Sequence, residues 1–145
     1  MTKDELTKIL RDNEYFSSYR IEGTETYRKN TSFSAKVVAD LRIYTNGSFG
    51  EIVDVDNIWS EAVSGAHQYE WIEGAHWSDP RVDEIRNNPT IQITIFADGV
   101  FKTTTTGSIN TGVGVPGFNV STTIGNQTVY ISEPMMIQKN FRTMN

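Results

Sequence analysis

The chain has 145 residues, no cysteine, 37% hydrophobic and 11% aromatic residues, and a formal net charge of −5. That length supports one hydrophobic core and a single domain over 1–145, and the composition is too apolar for a disordered chain. Absent cysteines exclude disulfides, thiolate catalysis and cysteine-ligated zinc; the acidic balance without a Lys/Arg cluster argues against a nucleic-acid partner; and no apolar run is long enough for a transmembrane helix.

Residues 2–16 read as an amphipathic helix. Thr2 and Glu5 fit a capping box, and Leu6, Ile9, Leu10 and Phe16 recur at helical spacing. From residue 18 the period changes to two, and 18–142 reads as an antiparallel β-sandwich or open barrel. Tyr19 to Tyr27 alternates loosely. Phe33, Ala35, Val37, Ala39, Leu41 and Ile43 then occupy every second position, the pattern of a strand with one buried face.

Asn46-Gly47 is a favoured hairpin pair, and two registers are open. A two-residue loop sets Leu41 opposite Ile52, whereas a three-residue loop sets Ile43 opposite Phe49. Farther on, Ile91, Ile93 and Ile95 alternate before Ala97-Asp98-Gly99, which reads as the turn of a second hairpin returning through Phe101. Residues 103–117 form a Thr- and Gly-rich connection. Phe118 to Ile124, a Gly125-Asn126 turn, and Val129 with Ile131 predict a further hairpin, and Met135, Ile137 and Phe141 a last strand. Many short strands separated by turn dipeptides favour a sandwich over a βαβ arrangement.

Between the first two hairpins, residues 51–84 hold nine acidic side chains against Arg81 alone, so the segment carries −8 and the remainder +3. All three tryptophans and both histidines fall there as well. Parity places His67, Tyr69, Trp71 and Glu73 on one strand face, with Glu70 on the other. Asp79 is the expected N-cap of a short helical turn, with Pro80 at its first position.

Aromatic rings beside polar groups suit a glycan or protein partner. The candidate binding residues are therefore His67, Tyr69, Glu70, Trp71, Glu73 and Trp77. Asp54, Asp56 and Glu61 offer oxygen ligands for calcium, although Trp59 occupies the position where an EF-hand needs glycine. His67 and His76 lie nine residues apart, which is not a recurring zinc-ligand spacing. Gly112, Gly114 and Gly117 match a dinucleotide fingerprint in letters only, because Pro116 and the strand-like residues after it cannot open the helix that fingerprint requires.

The leading expectation is an exported, non-enzymatic binding module at the cell surface or outside the cell, with a cytoplasmic location as the alternative. A small carboxylate-dependent hydrolase is the second reading. A pore-forming protein inserting residues 103–130 is the third. Oligomeric state is left open.

Overall fold

The computed structural model describes residues 14–63, 69–106 and 114–143, and strands dominate. A three-stranded antiparallel sheet has the order β1 (Glu14–Thr26), β2 (Ser34–Asn46), β3 (Phe49–Ala62). The second sheet is built around β5 (Gln92–Thr106). One side of β5 pairs with β4 (Glu70–Asp79); the other pairs first with β8 (Met135–Arg142), then with β7 (Gln127–Ser132). β6 (Phe118–Ile124) completes this sheet beyond β7. Helix α1 (Val82–Asn87) joins β4 to β5.

The inner faces share one core. Ala35, Val37, Ala39, Leu41 and Ile43 of β2 are buried as their alternation predicts, and they meet Ile93, Ile95, Ala97 and Phe101 of β5 and Ile137 of β8. At about 25 cal/mol per Å² of apolar surface removed from water, these side chains are the main source of stability.

The first hairpin adopts neither expected register. Gly47-Ser48, not Asn46-Gly47, forms the two-residue loop, with φ of +62° at Gly47, so Asn46 pairs with Phe49 and Ile43 with Ile52. Two bulges in β3 follow, leaving Val53 and Asp56 without partners on β2. Each bulge adds one residue between inward positions, so buried Ile52, Val55 and Ile58 are spaced by three instead of two. That spacing conceals the strand from a period-two reading.

The second expected hairpin is absent. Ala97-Asp98-Gly99 does not turn; β5 runs through it, with Ile93, Ile95, Ala97, Gly99 and Phe101 all facing inward. Strict alternation across the Asp-Gly pair, satisfied on both sides by β4 and β8, overrides the local turn preference. The Gly125-Asn126 hairpin between β6 and β7 forms as expected, with φ of +62° at Gly125.

Of the expected helix over 2–16, residues 2–13 lie outside the described residues, while Glu14 to Phe16 are extended and pair with β2. α1 also starts later than expected. Arg81 is its N-cap, without a side-chain capping bond, and Asp79 instead ends β4. Fully buried Ile85 anchors this helix to the core.

Candidate functional site

β3 and β4 are the facing edges of the two sheets, and the acidic stretch is wrapped around the seam between them. The inner side of that seam is structural. The Tyr69 hydroxyl accepts the Ser34 N–H at 3.1 Å and lies 2.9 Å from both the Ser34 and Val63 carbonyl oxygens, with one proton to donate between them. Trp71 donates its indole N–H to Ser60 Oγ at 2.7 Å and meets Phe101 edge-on, with ring centroids 5.0 Å apart. Both aromatics are half-buried and packed against the core. His67 lies outside the described residues.

β4 carries a bulge at Gly74, because Glu73 pairs with Gly99 and Ala75 with Asp98. The Asp98 carboxylate caps it, accepting the Ala75 N–H at 2.8 Å. In a regular strand Glu73 and His76, three apart, would face opposite ways; the bulge brings them to the same side. His76 Nδ1 then lies 2.8 Å from Glu73 Oε1, within hydrogen-bond distance, and this contact leaves Nε2 for another partner. Glu70 is exposed and sits across from Lys102 on the outer face.

Beyond the bulge the seam opens into a cleft of about 320 Å³. Val55, Ile58 and Val82 give it an apolar lining; Asp56, Asn57, His76 and Arg81 supply polar groups; Trp77 stands at its side. Asp56 is there because it is the unpaired residue of the second β3 bulge. Trp77 points to the outer face of its sheet and stacks on Phe96, with centroids 5.2 Å apart and planes 9° from parallel, yet it remains 39% exposed. Ser78 beside it is not free to act as a nucleophile, being buried with its hydroxyl donated to the Pro80 carbonyl at 2.8 Å.

α1 fixes the far wall. Arg86 reaches back to β3 and donates to Asp54 Oδ1 at 2.6 Å. Burial pushes the Asp54 carboxyl up most strongly of any single influence, but hydrogen bonds from Arg86 and the Val55 N–H, with the charges of Arg86 and Arg42, outweigh it and leave the pKa below its ordinary value. Arg81 is held by Glu84 at 2.8 Å.

The calcium candidates are not gathered into one site. Asp54 pairs with Arg86, Glu61 lies 3.5 Å from Lys36 in a different part of β3, and Asp56 faces the cleft. Among the described residues, no three His, Asp or Glu side chains are grouped to hold a metal ion. Asn57 and Arg81 are cleft residues that parity along β4 could not identify, because they come from a bulged strand and a helix start. The usable signal was Gly74, a glycine inside a strand pattern, which marks a bulge. Comparison of the chain with family models, curated proteins and solved structures found no match.

Proposed function

We propose that this chain is a non-enzymatic binding module, an exported β-sandwich that holds a glycan against Trp77 in the cleft between β3 and β4. The carrying observation is the indole itself: stacked on Phe96 and still exposed, it stands at the side of a cleft with planar polar groups from Asn57, His76 and Arg81. A sugar ring offers an apolar C–H face to an aromatic platform and hydroxyls to such groups. The cleft volume falls at the lower end of small-ligand sites, which favours a short glycan over a protein surface.

The Glu73–His76 pair favours the hydrolase reading as a second choice, since a histidine oriented by a carboxylate is the usual form of a general base. Binding is preferred because a carboxylate-dependent hydrolase works with two carboxylates, and Asp56 is the one carboxylate among the described residues lining the cleft. The pore-forming reading gains no support from β6 and β7, whose 7 and 6 residues are shorter than the nine to eleven or so of a membrane-spanning strand.

Titrating neutral and acidic oligosaccharides against intrinsic tryptophan fluorescence tests the reading. Wild type is expected to bind a member of the panel, and Trp77→Ala to weaken it at least about tenfold with little change in Tm. If no oligosaccharide binds, or Trp77→Ala binds as wild type does, the glycan reading fails. Fractionation of the producing cells tests export, which fails if the chain is retained in the cytoplasm.

A further inference from the structure

From Thr103 to Ser132 the chain runs thirty residues without a charged side chain, although charged residues make up 21% of the whole. This run includes the end of β5 and all of β6 and β7, a corner of the second sheet whose last strand, β6, pairs only with β7. Its outer edge has no partner among the described residues. Val120 and Ile124 on β6 are 59% and 74% exposed.

An open strand edge presents unpaired N–H and C=O groups and invites another strand, so proteins commonly guard such edges with charges. The other outlying strands here are guarded. β1 carries Arg20, Glu22 and Glu25; β3 carries Asp54, Asp56 and Glu61; β4 carries Glu70, Glu73 and Asp79; β8 carries Lys139 and Arg142. β6 alone among them carries no charge.

We propose that the β6 edge is a self-association surface, on which a second copy of this chain adds its own β6 antiparallel to continue the sheet across a two-fold axis. Antiparallel pairing of a strand with its symmetry mate needs only one surface, used twice. The net charge of −5 makes two copies repel, and the uncharged corner lets them meet without setting like charges opposite one another. The pairing is weak and reversible. β6 offers 7 residues, against about 20–30 per side in a standard interface, and a bulge at Ser121 interrupts its ladder.

Sedimentation velocity over a concentration series, combined with amide hydrogen exchange, tests the proposal. The expected result is a mass rising from the 16.4 kDa monomer toward the dimer, more readily as salt screens the repulsion, with β6 amides gaining protection in step. Val120→Lys with Ile124→Lys, both at exposed positions, should weaken dimerisation at least about tenfold, whereas Glu22→Lys on β1 should not. Three results would overturn the proposal: a monomer at every concentration, a dimer unaffected by the two lysines, or β6 outer-edge amides already protected at high dilution. The last would mean that the chain covers this edge itself.

Discussion

A Cβ added to Gly99 would lie 2.7 Å from Cζ2 of Trp71, so the missing side chain of the glycine is the seat of the indole. The same Cβ would also press on the Ile72 carbonyl oxygen. Gly99→Ala is therefore expected to destabilise the fold by about 1–3 kcal/mol, the usual cost of overpacking. Urea unfolding checks this, and combining Gly99→Ala with Trp71→Phe should recover only part of the loss, because the backbone clash remains.

Tyr69 and Trp71 hold the two sheets together at the seam, and their substitutions should separate from that of Trp77. Trp71→Ala removes the packing against Phe101 and the bond to Ser60, and is expected to cost about 3 kcal/mol or more. Tyr69→Phe leaves the Ser34 N–H without its acceptor, at about 1–3 kcal/mol. Trp77→Ala, on an exposed face, should cost less than either. Thermal melts of the three variants decide it, and equal losses would show that Trp77 is as structural as Trp71.

The strands with strict period-two patterning were legible in the sequence. The inward face of β2 could be read directly, because all five inward side chains from Ala35 to Ile43 are apolar, although Val38 of the opposite parity is buried as well. β3 could not, since its two bulges convert the inward spacing to Ile52, Val55, Ile58, a pattern that resembles a helix turn more than a strand. Asp98-Gly99 misled for a related reason: a turn-forming pair serves in mid-strand as a bulge partner and an aromatic seat, functions visible only once β4 lies alongside. Of the three tryptophans that the sequence places in the acidic stretch, Trp77 is the exposed one, while Trp59 and Trp71 are half-buried. The rest of the cleft depends on contacts between β3, β4 and α1, which no local pattern records.

Acid should weaken the joint between α1 and β3. The folded-state pKa of Asp54 lies below its ordinary value, so the unfolded chain takes up the proton first as pH falls from about 4, the ordinary aspartate range. The contribution of Asp54 to stability is thus complete above that range and is lost as pH drops through the lowered folded-state value. Asp54→Asn should be less stable than wild type at pH 7, and the two should converge toward pH 2. Urea midpoints across that range measure the difference, and a gap independent of pH would exclude the ion pair with Arg86 as its source.

Asp98 should control the cleft without touching it. Its carboxylate satisfies the Ala75 N–H at the Gly74 bulge, and the bulge in turn places His76 on the same side of β4 as Glu73. Asp98→Ala removes an acceptor from a partly solvated amide, so the stability loss should be modest, about 0.5–1.5 kcal/mol. The local effect should be larger: if β4 loses the bulge, residues beyond it change faces, and His76 parts from Glu73. Nuclear Overhauser contacts between the His76 ring and the Glu73 side chain report this directly and should disappear in Asp98→Ala. Asp98→Asn retains a carbonyl acceptor and should preserve them. Contacts that persist in Asp98→Ala would show that the bulge is set by Gly74 alone, and that the geometry of the cleft does not depend on this carboxylate.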